Sequence, residues 1–259
     1  LILLFTLLLH GLNFWLLRLI IGKHRLAENP LLPIGVFYLL SLSFFPASLL
    51  HLEGLIASSL CLWMLRTCLE VYNQNNVMAL VFWSSTLVGL ASLIFAPSAL
   101  LLIVLLTTLS IFRPFSLREF LVAFLGMGLP LFYAISFSYL LDFELEILSI
   151  SPVELPSINM ETKGLFFYGK IGLSVIALWA LAAALLSRSK MIVRQRNQLL
   201  VIFLYSALSL ALWSFLPFSS LLPILLPPLA LFFHIAYLQS SLKWIIDILL
   251  LLLLSISIL

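Results

Sequence analysis

The chain reads as an all-α polytopic transmembrane helical bundle, one domain over residues 1–259, and three observations predict this. Of its 259 residues 64% are hydrophobic and only 9% charged, with a mean hydropathy of +1.25; a soluble domain carries about 25% charged residues. The apolar residues come in blocks of about 20, enough to cross ~30 Å of hydrocarbon at ~1.5 Å per residue. Stretches such as Ala99 to Leu106 and Ile248 to Leu254 are apolar at every position, whereas the strands of a membrane barrel alternate. Helices pair every backbone N–H and C=O within one segment, as lipid requires.

About ten spans are expected, over residues 1–21, 31–50, 53–70, 77–94, 98–112, 119–141, 164–186, 199–216, 221–238 and 243–259. The first contains His10, Asn13 and Arg18 but neither a basic leader nor a small-residue cleavage site, so it reads as a span and not as a signal peptide. It opens on Leu1 inside an apolar run, which leads us to expect a further segment upstream. The breaks fall where Gly, Pro, Asn or charges cluster: Gly22 to Pro30, His51 to Glu53, Asn73 to Asn76, Ala96 to Ser98, Arg113 to Arg118, Asp142 to Lys163, Ser187 to Gln198, Pro217 to Ser220 and Gln239 to Lys243. Two joints, at His51–Glu53 and at Pro97–Ser98, are short enough that each must be a tight hairpin or a bend within one segment.

Charge tests the count. Odd-numbered loops and their borders hold Arg18, Lys23, Arg25, Arg66, Arg113, Arg118, Arg188, Lys190, Arg194, Arg196 and Lys243, 11 of the 13 basic residues. Even-numbered loops and their borders hold Lys163 and Lys170, with six of the ten acids: Glu53, Asp142, Glu144, Glu146, Glu154 and Glu161. Lys and Arg stay on the cytoplasmic side during insertion, so odd loops are expected in the cytoplasm. The expected location is the bacterial inner membrane.

Few polar groups remain to carry chemistry. In the fifth loop Pro114 ends one helix, and Ser116 with Glu119 forms a capping-box pattern that starts the next. Arg113, Ser116 and Arg118 there make a candidate site for a lipid phosphate or a lipid-linked phosphate; topogenic anchoring is the plainer reading. In the seventh loop Arg188, Lys190, Arg194 and Arg196 surround Met191 to Val193, an interfacial segment for anchoring to anionic headgroups or docking a cytoplasmic partner. Asp142, Glu144 and Glu146 alternate with apolar residues but lack a cation-binding turn. Intramembrane polar residues are functional hypotheses by default: His10 and Asn13 on one face of the first span, His234 after the prolines of the ninth, and Lys243 with Asp247 at i, i+4 in the last. Against each stands an ordinary interhelical hydrogen bond or ion pair. Gly126-Met127-Gly128 before Pro130 suggests close helix packing or a bend. Cys61 and Cys68, seven residues apart on one helix, are about 10 Å apart along its axis and read as packing residues. His10, His24, His51 and His234 have no metal-ligand spacing, and no cofactor, metal or nucleic-acid partner is expected. The expected partners are membrane lipids and other membrane-protein subunits.

Asn29-Pro30-Leu31-Leu32-Pro33, Ser43 to Pro46, Gly89 to Ser98, Ile111 to Glu119 and Gly126 to Pro130 together resemble an uncharacterised family of bacterial multi-pass inner-membrane proteins, over about residues 25–141. A weaker likeness, Gly89 to Arg118, is to polyprenyl-phosphate-sugar-dependent membrane glycosyltransferases, whose activity implies an acidic residue in an early outer loop; Glu53 is the visible candidate. Three function classes follow. The chain is expected first as a non-catalytic subunit or scaffold of a cell-envelope assembly or membrane complex, second as a handler of lipid-linked saccharide, and third as a small-solute transporter.

Overall fold

The computed structural model describes residues 2–24, 35, 37–39, 52–72, 74, 76–114, 116–141, 182, 192–215 and 222–239. Among them all regular structure is helical. The elements are α1 (Ile2–His24), α2 (Leu52–Glu70), α3 (Met78–Ile94), a 3-10 segment (Ala96–Leu101) running into α4 (Leu102–Phe112), α5 (Leu117–Leu141), α6 (Val193–Phe215) and α7 (Leu222–Gln239). Three helical stretches, Leu4–Lys23, Leu52–Glu70 and Leu117–Leu141, are long and apolar enough to cross a membrane; Met78–Ile94, Ala96–Phe112 and Pro223–Ile235 are shorter apolar helices. Of the expected spans, 31–50, 164–186 and 243–259 lie outside the described residues apart from 35, 37–39 and 182.

Helix ends fall where backbone chemistry puts them. Arg113, ahead of Pro114, is extended at φ −142°, ψ 154°, because the proline ring crowds a helical residue before it. At the Pro97 joint, Phe95 is the single extended residue after α3, and Pro97 opens the next helix, where a missing N–H costs nothing. Ser98 donates its hydroxyl to the Phe95 carbonyl at 2.8 Å. The 3-10 turn that follows rises ~2.0 Å per residue, so Ala96 to Phe112 reaches about 28 Å, close to the hydrocarbon thickness.

Expectation and structure part at the seventh loop. Val193 to Gln198, expected as loop, forms the start of α6, so Arg194 and Arg196 stand on a helix's first turns. Basic residues there oppose the helix dipole. Arg194 has another partner: its guanidinium lies over the Tyr72 ring, 5.9 Å from the centroid.

Packing fixes the relative directions of the helices. Asn13 bonds Ser59, and ten residues further on Lys23 pairs with Glu70, eleven residues on from Ser59, so α1 and α2 run parallel and nearly in register. α2 and α3 form an antiparallel hairpin, tied by the Thr67 and Ser84 hydroxyls at 2.6 Å. α3 and α5 are parallel and very close. A Cβ on Gly89 would lie 2.6 Å from the Met127 carbonyl oxygen, and one on Gly126 would run into the Ser85 hydroxyl and the Phe82 carbonyl. Gly128 faces open space. Of the glycine pair read from the sequence, only Gly126 serves contact. α7 is the central element: every residue from Pro223 to Ile235 is buried, against α1, α2 and α6. A helix apolar all round belongs in such a place.

Candidate functional site

Two groups of polar residues stand out, at different heights in the bundle. The first gathers helix ends. Lys23 at the end of α1 pairs with Glu70 at the end of α2 at 2.7 Å, and Arg66 approaches the same carboxylate at 3.5 Å. Just beyond α2, Tyr72 packs edge-on against Phe112 at the end of α4, with Arg194 over its ring. Next to Phe112, Arg113 pairs with Glu119 on the first turn of α5 at 3.1 Å. The ends of α1, α2 and α4 and the starts of α5 and α6 therefore share one basic end. Four of its cations are engaged by the protein itself, while Arg118 is exposed.

The loop between α4 and α5 is organised by these bonds. The Glu119 and Phe120 N–H groups donate to the Ser116 carbonyl at 3.1 and 3.4 Å, starting α5. The Glu119 carboxylate, expected to reach back toward Ser116, is held by Arg113. A charged pair this little exposed is partly desolvated, which strengthens its attraction. It also occupies one of the two arginines read as phosphate ligands.

The second group lies in the other half of the bundle. Along the buried stripe of α1, Thr6, His10 and Asn13 are polar, while Leu16, Leu17, Ile20 and Ile21, nearer the basic end, are apolar. His10 Nδ1 is 2.9 Å from the Tyr38 hydroxyl, in an edge-on ring contact, and Ser59 donates to Asn13 Oδ1 at 2.7 Å. Asn13 also sits beside the Tyr38 hydroxyl. All four side chains are buried, and His10 Nε2 and Asn13 Nδ2 have no hydrogen-bond partner. An apolar depression on α1, lined by Leu4, Leu7, Leu8, Gly11, Leu12 and Trp15, lies roughly half a turn round the helix from His10 and Asn13 at ~100° per residue, so it is separate from them.

Next to this group Ser58 donates to the Pro223 carbonyl at 2.6 Å. The reason is covalent. In an α-helix that carbonyl would accept from the N–H of residue 227, and Pro227 has none. A serine of α2 supplies the donor the helix lacks, which a low-dielectric interior demands.

No family model, no curated protein and no solved structure matches this chain. What it can do must therefore be argued from the residues themselves.

The sequence-derived candidates are distributed as follows. His10 and Asn13 sit together in the buried polar group. Arg113, Ser116 and Arg118 lie at the basic end, as do Arg194 and Arg196. His234 is buried on α7 among Leu231, Phe232 and Phe233. Arg188, Lys190, Lys243 and Asp247 lie outside the described residues. Among the described residues no group of three His, Cys, Asp or Glu could hold a metal. Cys61 and Cys68 are buried and unbridged, and the Cys68 thiol contacts the Met64 sulfur at 3.3 Å. Sequence reasoning passed over Tyr38, Ser58, Ser59 and Tyr72. One of them had a signal: the proline at 227 orphans a carbonyl four residues back, and a buried hydroxyl must answer it.

Proposed function

We propose that this chain is a multi-pass protein of the bacterial inner membrane, with about ten spans and its basic end in the cytoplasm. It serves there as a non-catalytic subunit or scaffold of a cell-envelope assembly or other membrane complex. The kinship with uncharacterised inner-membrane proteins expected from the sequence belongs to the same proposal.

The observation that carries the subunit reading is the isolation of α5. Of its 25 residues only Glu119, Ala123, Gly126 and Pro130 are buried. The helix is clamped to α3 along one glycine-tight edge and offers Leu121, Phe124, Leu125, Phe132 and Tyr139, among others, to its surroundings. A face this wide and apolar needs lipid or another helix against it. The engaged charges of the basic end tie the protein's own helix ends together and leave Arg118 exposed beside them, which suits structural work at anionic headgroups.

The test is extraction of the native membrane in mild detergent, with photocrosslinkers at Phe124 or Leu125. The proposal expects one membrane partner in fixed ratio, crosslinked from the exposed face of α5. A protein that leaves the membrane alone, crosslinked only to lipid, ends the subunit reading. Topology is checked separately in intact cells with impermeant thiol reagents, at cysteines replacing Arg194 and Glu146. The Glu146 position should label and the Arg194 position should not; labelling of both would remove the proposed orientation.

A further inference from the structure

The face of α1 turned away from the bundle joins an apolar trough to a cation. The depression between Leu4 and Trp15, of about 530 Å³, lies on this face. At ~100° per residue, Leu4, Gly11, Trp15, Arg18 and Gly22 fall within about 60° of one another. The buried stripe that includes Asn13, Leu17 and Ile20 is on the opposite side. Gly11, Trp15, Arg18 and Gly22 are exposed, and a Cβ on either glycine would meet nothing within 4 Å. Leu4 to Trp15 spans about 16 Å, the depth of one leaflet of a ~30 Å hydrocarbon core. Arg18 stands about one turn beyond the Trp15 end, and about 7.5 Å along the helix from Lys23 at the basic end. Lys23, Arg66 and Arg113 are held by Glu70 and Glu119, whereas Arg18 pairs with no acid among the described residues.

We propose that this face binds one anionic phospholipid from the leaflet at the basic end, with an acyl chain in the depression and the phosphate on Arg18. A guanidinium at the edge of the hydrocarbon is costly unless it reaches the headgroup layer or an anion. Helix Cβ atoms tilt toward the N-terminus, here away from the basic end, so Arg18 must turn back along α1 to get there. Gly22, one turn on, leaves that path open. On the other side stands Trp15, a ring suited to the membrane interface. Charge selects the headgroup. Glu70 is taken by Lys23 and Arg66, so the ammonium of an ethanolamine headgroup finds no free carboxylate there. A glycerol headgroup brings only its phosphate charge, which Arg18 meets. A second copy packed on the same face about a two-fold axis would set Arg18 against Arg18, and like charges oppose it. This inference rests on the membrane reading, whose own failure would show as a chain soluble without detergent, and not on the subunit role.

The experiment titrates the full chain in detergent with phosphatidylglycerol or with phosphatidylethanolamine of the same acyl chains, and counts bound lipid by native mass spectrometry. Phosphatidylglycerol should saturate a first site at one lipid per chain, severalfold more tightly than phosphatidylethanolamine. R18Q should weaken that site about tenfold, the loss of one charge-assisted hydrogen bond, and erase the headgroup preference. R18K should keep the preference. G11L fills the depression from a position with open space around it, so it should weaken both lipids alike in a folded protein. Equal binding of the two lipids by the wild-type chain, or a preference that survives R18Q, overturns the proposal. A wild-type dimer that G11L splits means that a second copy covers the face, and overturns it too. Should R18Q fail to fold, the wild-type chain with a phosphatidylglycerol carrying a photoreactive acyl chain decides. Crosslinks between Leu4 and Trp15 that unlabelled phosphatidylglycerol removes better than phosphatidylethanolamine support the site. Crosslinks spread evenly over the apolar surface mark general solvation by lipid and overturn it.

Discussion

Gly126 and Gly128 lie two residues apart on α5 and offer a controlled test of the α3–α5 seam. An alanine methyl at 126 would overlap the Ser85 hydroxyl and come within 2.7 Å of the Phe82 carbonyl oxygen, whereas one at 128 would meet nothing within 4 Å. The wall facing position 126 includes the backbone of α3, which cannot rotate away as a side chain can. The helices must move apart by several tenths of an ångström, and overpacking of this kind costs about 1–3 kcal/mol. Both substitutions gain about 1 kcal/mol of helix propensity, and that term cancels when they are compared. G126A should therefore be less stable than G128A by about 1–3 kcal/mol, measured by denaturant titration in micelles with circular dichroism. G89A, whose methyl would lie 2.6 Å from the Met127 carbonyl oxygen, should behave like G126A. Equal stabilities for G126A and G128A would refute the close parallel packing and with it the account of how α5 is held.

Further perturbations probe single bonds. S58A leaves the Pro223 carbonyl without its side-chain donor and should cost about 1–3 kcal/mol, the penalty of an unmatched buried acceptor; S58T, which keeps the hydroxyl, should recover most of it in the same titration. A double-mutant cycle of R194A and Y72L should give a coupling of about 0.5–1 kcal/mol, the worth of a cation–π contact at an exposed site, and zero coupling would remove the link between α6 and α2. E70Q breaks the pair with Lys23, whose side chain is half exposed. Solvent screening holds that loss below about 1 kcal/mol, and raising the salt concentration should shrink it further.

Much of the fold could be read from the sequence because hydropathy and chain breakers act locally. The ends of α4 and α3 follow from Pro114 and Pro97, whose chemistry needs no tertiary context. The start of α6 at Val193 lies inside the charged stretch that the sequence marks as loop. Charge keeps a segment out of hydrocarbon, but a helix can begin in the headgroup layer, and the Tyr72 ring that receives Arg194 comes from a distant part of the chain. The same limit hid the buried polar group. Tyr38 sits in an apolar run and Ser59 in a small-residue patch, and only the approach of α1 to both makes them partners of His10 and Asn13. Gly126 and Gly128 look equivalent as sequence. Being about 200° apart around the helix, they differ only through the direction of α3.

Direction is also where charge and packing can be checked against one another. The alternation of basic and acidic loops assigns each helix end to a side, from composition alone. The contacts assign ends from geometry: the close of α1 meets the close of α2, the close of α4 meets the residues just past α2, and α6 begins beside them. Among the described residues, these contacts bring Lys23, Arg66, Arg113 and Arg194 to one end of the helices. Paired cysteines make the point decisive. Cysteines replacing Lys23 and Glu70 should crosslink readily with a short thiol reagent, because the native side chains meet at 2.7 Å. Cysteines replacing Thr6 and Glu70 are separated by about 25 Å along α1 and should not. Crosslinking of the second pair instead of the first would make α1 antiparallel to α2, and the shared basic end, with the topology built on it, would fall.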